Sequence, residues 1–273
     1  MTSGCTSEPA TALARRFAIP GRRALVTGGS MSIGRAIALG LAEAGADVAI
    51  HHAVEADAAA GRPAAADEVA REITARRVRA LSLAADFREA GAARDVVEAV
   101  CAAFGGLDIL VVCASVQARL ALSAVTTAEI ARQTAVNLAA TVELLQGALP
   151  GMRARRWGRV LSIGSVNQTR PEPELGIYAA LKAGQHTLML SLARDAAPDG
   201  VTLNTLSPGL IATERNRWRR SDPAEWAAIQ RAANPMARAG TPEDMVGAAL
   251  LLCSDAGAFI TGADLQATGG GHL

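Results

Sequence analysis

The sequence predicts an α/β chain built on a doubly wound, mainly parallel sheet of seven strands. Three observations carry that expectation. Short apolar runs alternate with longer helical patterns along the chain. The runs are continuous rather than alternately polar and apolar, as in strands covered by helices on both faces. A glycine-rich turn follows the first run and opens a helical pattern. With 273 residues, half of them apolar, the chain can bury one large core.

Residues 1–20 read as a leader and 21–273 as one domain. The first strand is Arg22–Gly28, and its helix runs from Ile33 to Ala44. Ala46–His52 is the second strand. An Ala/Pro/Gly-rich patch over 56–66 then leads into a helix ending near Arg77. Val78–Asp86 is the third strand, Glu89–Phe104 the third helix and Leu107–Ser115 the fourth strand. A long helix is expected over Thr127–Leu149, a strand over Gly158–Ser165, a helix over Tyr178–Ala196 and a strand over Val201–Gly209. Residues 210–240 read as irregular, with 210–235 as a substrate lid. A helix over 242–253 and a strand over Gly262–Ala267 close the chain. There is no internal repeat, and the pattern is that of a Rossmann-type domain.

Composition excludes several classes. Net charge is +1, which gives no field for nucleic acid or an anionic membrane. No apolar run reaches transmembrane length, and the N-terminus lacks the apolar core of a secretory signal. Cys5, Cys101, Cys113 and Cys253 suit neither a zinc site nor a disulfide framework, and the four histidines have no metal-binding spacing. A reducing cytoplasm and no bound metal are expected.

The turn Thr27–Gly34, TGGSMSIG, lies where a doubly wound sheet binds a dinucleotide. Alone it is also compatible with an ordinary tight turn. A second signal is compositional. Of 27 lysines and arginines only Lys182 is lysine, and it follows the only tyrosine, Tyr178, by four residues. Codon bias explains the scarcity of lysine but not the placement of the exception. At i and i+4 the two share a helix face, and an ammonium near a phenol favours the phenolate. Such a pair can exchange a proton near neutral pH. Ser165 ends a strand, where its hydroxyl can meet a substrate oxygen or cap a turn. Asn137 lies inside a helix, a poor position for asparagine unless its side chain has a polar task.

Taken together and in order, TGGSMSIG, VNLAA, SIGSV, YAALK and SPGLIAT resemble the short-chain dehydrogenase/reductase family, over about residues 18–273. The resemblance implies an NAD(P)-dependent oxidoreductase acting on a carbonyl or secondary alcohol. It implies that Tyr178 is the general acid and base, that Lys182 tunes it and binds the nicotinamide ribose, and that Ser165 holds the substrate oxygen. It gives Asn137 a water that links Lys182 to a proton relay. Cofactor contacts are implied for Gly28, Ser30, Ser32, Ile33, Gly34, His52, Asp86 and Ala114, and for Tyr178, Lys182, Pro208, Gly209, Ile211 and Thr213. Homotetramers, or homodimers, are also implied.

The match departs from the family in places. Ser32 replaces the middle glycine of the turn and fits there if its φ is negative. Val112-Cys113-Ala114-Ser115 replaces Asn-Asn-Ala-Gly, so the polar bonds usually made there must be replaced or lost. Thr268 stands where aspartate is frequent. No acid ends the second strand to mark NAD. With no carboxylate to repel a 2′-phosphate, and His52 able to bind one, the residues lean to NADP(H) over NAD(H). The arginines at 215, 217, 219 and 220 either greet a polar or anionic substrate or simply face water. The alternative from another class is a catalytically silent dinucleotide-binding module, a sensor or assembly partner. The intact Asn137, Ser165, Tyr178 and Lys182 weigh against it.

Overall fold

The apolar runs become strands because each can bury both faces at once. The computed structural model describes residues 11–273. Its strands are β1 (Arg23–Thr27), β2 (Asp47–His52), β3 (Ala80–Ala84), β4 (Ile109–Val112), β5 (Gly158–Ile163), β6 (Val201–Pro208) and β7 (Asp264–Ala267). They form one sheet in the order β3-β2-β1-β4-β5-β6-β7, every neighbouring pair parallel. The helices are α1 (Ala12–Phe17), α2 (Ser32–Glu43), α3 (Val54–Ala59), α4 (Ala65–Thr74), α5 (Ala92–Phe104), α6 (Thr127–Thr134), α7 (Ala140–Ala154), α8 (Gly176–Ala196), α9 (Pro223–Ala233) and α10 (Val246–Cys253).

Strand periodicity divides the core into two layers. Val26, Ile50 and Val111 face one side with Ile37 and Leu41 of α2, Val69 of α4 and Leu252 of α10. Their neighbours Leu25, Leu110 and Val112 face the other, with Val97 of α5, Leu144 of α7 and Met189 of α8. Leu41 is fully buried, and cutting such a leucine to alanine costs about 3 kcal/mol. Strand order reverses between β1 and β4, so the carboxyl ends of these strands open a crevice there.

Several elements differ from the sequence expectation. The long helix is interrupted by a π turn over Ala135–Ala139 and then continues as α7 through Pro150 to Ala154. The third strand is shorter than expected, and α3 lies in the Ala/Pro/Gly-rich patch. The 210–240 stretch contains a 3-10 segment, Glu214–Arg220, and then α9. Asp222 caps α9, its Oδ1 accepting from the N–H of Ala224 at 2.8 Å, and Pro223 supplies a preset first turn. In the segment expected as a leader, α1 is helical and Ile19 is buried. Residues 1–10, with Cys5, lie outside the described residues.

Candidate active site

The turn after β1 is shaped by contacts that only glycine allows. A Cβ on Gly34 would lie 2.0 Å from the Gly28 carbonyl oxygen. Gly28 has φ +64, and a Cβ there would meet the Ala114 backbone at 3.0 Å. Ser32 was expected at negative φ, and this is corrected: its φ is +50. The turn keeps the left-handed geometry of the glycine it replaces, and serine bears the strain. Its hydroxyl donates to Glu214 Oε2 at 2.5 Å. The polar bonds that had to be replaced or lost at Cys113 and Ala114 are replaced. Thr27 Oγ1 accepts from both backbone N–H groups, at 3.0 and 3.1 Å, tying β1 to the end of β4.

At the β2 end of the cleft His51, not His52, forms the wall. The Gly28 N–H donates to His51 Nδ1 at 3.3 Å, so Nε2 carries the hydrogen and donates to the Ala85 carbonyl at 3.1 Å. The ring stacks on Phe87, centroids 3.8 Å apart. Burial pushes the imidazole down to about 4, so it is neutral. His52 was expected to face a 2′-phosphate with no carboxylate nearby. That premise is corrected, because α3 brings buried Asp57 onto it. His52 Nδ1 lies 3.0 Å from Asp57 Oδ2, and Ser30 Oγ donates to Asp57 Oδ1 at 2.7 Å. Asp86 lines the cleft, and the Arg88 side chain and N–H hold its carboxyl below the usual range.

The chemical centre is built from β5, the π turn and α8. Ser165 lies just past β5 and caps the 3-10 turn Val166–Gln168, its Oγ accepting from the Asn167 N–H at 3.1 Å. That bond uses a lone pair and leaves the O–H free to donate. Tyr178 and Lys182 are both buried on α8, and Lys182 Nζ lies 5.9 Å from the Tyr178 ring centroid. The Lys182 ammonium donates to the Ile163 carbonyl at 2.7 Å and to Gln185 Oε1 at 2.9 Å. Burial pushes it down to about 8, with Arg215 adding to the effect and Cys113 opposing it.

Asn137 is fully buried, as its odd position in a helix foretold, but its side chain does not face Lys182. Oδ1 accepts from the Val116 N–H and Nδ2 donates to the Val116 carbonyl, at 3.0 and 2.8 Å. Its own carbonyl accepts from Gln185 Nε2 at 3.2 Å and from Thr141 Oγ1 at 3.1 Å. The Gln185 side chain bridges the Asn137 carbonyl to the Lys182 ammonium. The sequence reading missed Gln185. The available signal was its place three residues after Lys182, on the same helix face.

Pro208, Gly209, Ile211 and Thr213 continue from β6 along the cleft, and Arg215 reaches across it to the Ser115 carbonyl at 2.8 Å. Arg215 therefore does not simply face water. Thr268 Oγ1 lies 2.7 Å from His272 Nδ1. The whole cleft measures about 2390 Å³ and runs from Ser30 and Asp86 to Tyr178 and Thr213. The glycine turn at one strand end, the amino end of α2 and the stacked His51 wall fit a dinucleotide in extended form.

The family model described as enoyl-(acyl carrier protein) reductase matches residues 28–272. L-rhamnose 1-dehydrogenase (NAD(P)(+)) of Sphingomonas sp. is 34% identical over 256 residues, covering 93% of this chain and 98% of that protein. The chain is a member of the short-chain dehydrogenase/reductase family. The chain also shares its fold with solved relatives. A 3-oxoacyl (acyl-carrier-protein) reductase from Agrobacterium tumefaciens, with NADP bound, superposes with a TM-score of 0.88 at 50% identity, over 94% of this chain and 97% of that one. A putative NAD(P)-dependent gluconate 5-dehydrogenase from Beutenbergia cavernae, also with NADP, gives 0.84 at 34% identity, over 93% and 98%. The chain is an NAD(P)-dependent oxidoreductase, and the catalytically silent reading has no support.

Proposed function

We propose that this dehydrogenase interconverts a small polar carbonyl compound and its secondary alcohol, with Tyr178 as proton donor and acceptor. One observation carries the reading: Tyr178 and Lys182 are buried side by side on α8 and line the same cleft as Ser165. Bound nicotinamide would supply the hydride. Gly28, Ser30, Ile33 and Gly34 would hold the diphosphate, and Asp86 the adenine. Ala114, Pro208, Gly209, Ile211 and Thr213 would flank the nicotinamide end. Ser165 directs its free O–H to the substrate oxygen. Tyr178 passes its hydroxyl proton to that oxygen as charge develops in reduction, and takes it back in oxidation. The Lys182 ammonium lies beside the Tyr178 ring, and its remaining N–H is available to a ribose hydroxyl.

A polar substrate, such as a sugar or sugar acid, suits the outer cleft. Arg119, Arg170, Arg215 and Arg217 line it with Trp218. Arg119 pairs with Glu172 at 2.7 Å, and Arg170 holds the Leu273 carbonyl at 2.9 Å. Arg217 has no hydrogen bond or ion pair among the described residues, so its charge is available to a ligand. The names of the rhamnose and gluconate enzymes point the same way. Residues 210–235 act as the lid over this end.

NADP(H) is the preferred cofactor, supported by the two NADP-bound relatives and set against the Asp57 carboxylate held by His52 and Ser30. The working form is a homotetramer or homodimer in the cytoplasm. Fully exposed Phe259, close in sequence to Gly262 where it packs near Leu190 of α8, supports an assembly face. The free thiols Cys101, Cys113 and Cys253 suit a reducing compartment. Among the described residues no helix is long and apolar enough to cross a membrane.

A panel of sugars, sugar acids, polyols and apolar ketones, read by cofactor absorbance with NADPH and NADH in parallel, tests the reading. Turnover of polar substrates with NADPH is expected. Turnover confined to apolar ketones overturns the substrate class, and tighter binding of NADH overturns the cofactor preference.

A further inference from the structure

We propose that Gln185 is a positioning residue for the reaction, a fixed side-chain bridge that holds the Lys182 ammonium beside Tyr178 and ties it to the π turn at Asn137. The inference rests on the catalytic reading given above and deepens it.

A buried ammonium must find acceptors for its hydrogens or pay the desolvation of a charge. Lys182 is 1% exposed and Gln185 is 0% exposed. Gln185 Oε1 accepts from Nζ at 2.9 Å. The amide nitrogen then donates at 2.8 Å to Thr141 Oγ1 and at 3.2 Å to the Asn137 carbonyl. These partners fix the amide orientation. A flipped amide would set its nitrogen against the ammonium and its oxygen against the Asn137 carbonyl, two repulsive contacts at once.

The π turn is what makes the bridge possible. Inside it the Asn137 carbonyl is turned towards side-chain donors, and both Gln185 and Thr141 use it. Lys182 is therefore held from two sides, by the β5 carbonyl of Ile163 and by the helix pair through Gln185. A bridging water could pass a proton by exchanging its own hydrogens. An amide cannot do so without becoming an imidic acid, and both its hydrogens are already committed. The bridge thus holds Lys182 in place without conducting protons towards Asn137.

The charged and titratable groups facing Lys182 are few. Tyr178 lies on the same helix, Cys113 comes from the end of β4 and Arg215 from the segment after β6. His186, the next residue on α8 after Gln185, is turned to Thr205 Oγ1 at 3.1 Å. The π turn and the first turn of α7 contribute only the neutral groups of Asn137 and Thr141. Arg215 is the one charged group facing Lys182, and it stays in place when the Gln185 oxygen is removed.

The sequence makes the test unusually direct, because Lys182 is the only lysine. Full-length protein labelled at lysine Cε gives one NMR signal from this side chain, titrated with and without NADP(H). Gln185→Leu should lower the Lys182 midpoint, and Gln185→Glu should raise it, each by about one pH unit. If Gln185 only fills the core, the variants lose thermal stability while the midpoint stays at the wild-type value, and the proposal falls. Should Gln185→Leu fail to fold, Gln185→Glu decides alone: a raised midpoint supports the bridge and an unchanged one overturns it. The readout needs no turnover, so it is separable from the catalytic reading, which stands or falls on Tyr178→Phe.

Discussion

Ser32 Oγ donates to Glu214 Oε2 at 2.5 Å, joining the first turn of α2 to the segment after β6 across 182 residues of sequence. The hydroxyl holds the Glu214 carboxyl below its usual range. The carboxylate thus sits at the amino end of α2, where backbone dipoles favour an anion and where the cofactor diphosphate is proposed to bind. Glu214 and the diphosphate compete for this place. Glu214→Gln should tighten NADPH binding by about fivefold, corresponding to about 1 kcal/mol. Fluorescence titration of bound NADPH measures it, and weaker binding would count against the competition.

Ser32 itself bears a left-handed backbone. Ser32→Ala keeps that backbone and loses the bond to Glu214, so it should destabilise by about 1 kcal/mol. Ser32→Gly relieves the backbone while losing the same bond, and should be close to neutral. Urea unfolding of both variants separates strain from hydrogen bonding. Equal losses in the two would mean that the φ of Ser32 carries no strain.

Tyr178→Phe removes only the hydroxyl, and the ring keeps its buried place. Turnover should fall by at least about a hundredfold with little change in melting temperature. Undiminished turnover would remove Tyr178 from the mechanism.

Asp57 brings a carboxylate to the proposed adenosine end, held by His52 and Ser30. Asp57→Asn keeps the shape and removes the charge. The ratio of kcat/KM for NADPH over NADH should rise by about tenfold. A ratio that stays constant would place Asp57 in a purely structural role.

His51 sets an acid limit on stability. Burial pushes its imidazole down to about 4 in the fold, against 6.5 for the ordinary group. The unfolded chain therefore takes up a proton that the folded chain resists. The contribution is fully present above pH 6.5 and is lost as pH falls from there through about 4. The loss amounts to roughly 3 kcal/mol. His51→Gln keeps a donor for Ala85 and an acceptor for Gly28 but cannot titrate in this range. Melting temperature followed over acid pH should fall less steeply in the variant than in the wild type.

Much of this was legible because it is written in local period. Continuous apolar runs such as Leu25-Val26 and Leu110-Val111-Val112 mark strands buried on both faces, and the sheet places all of them as parallel neighbours. The Tyr178 and Lys182 spacing of one helical turn held because α8 is regular through both. Elements framed by weak local signals were not legible. The Ala/Pro/Gly-rich patch hides α3, and with it Asp57. The arginine-rich segment hides α9, although Asp222-Pro223 is a readable helix start.

The sequence by itself determined the order of the seven strands along the chain and the one-turn spacing of Tyr178 and Lys182. Both follow from periodicity over a few residues. Tertiary structure alone decided which side chains meet across the cleft: Glu214 with Ser32, Arg215 with Ser115, and Gln185 between Lys182 and Asn137. Those meetings depend on where the sheet brings the ends of β1, β4, β5 and β6 together and on the π turn that redirects one carbonyl. Neither leaves a mark in the local pattern, because a contact between distant segments is set by the packing of everything between them.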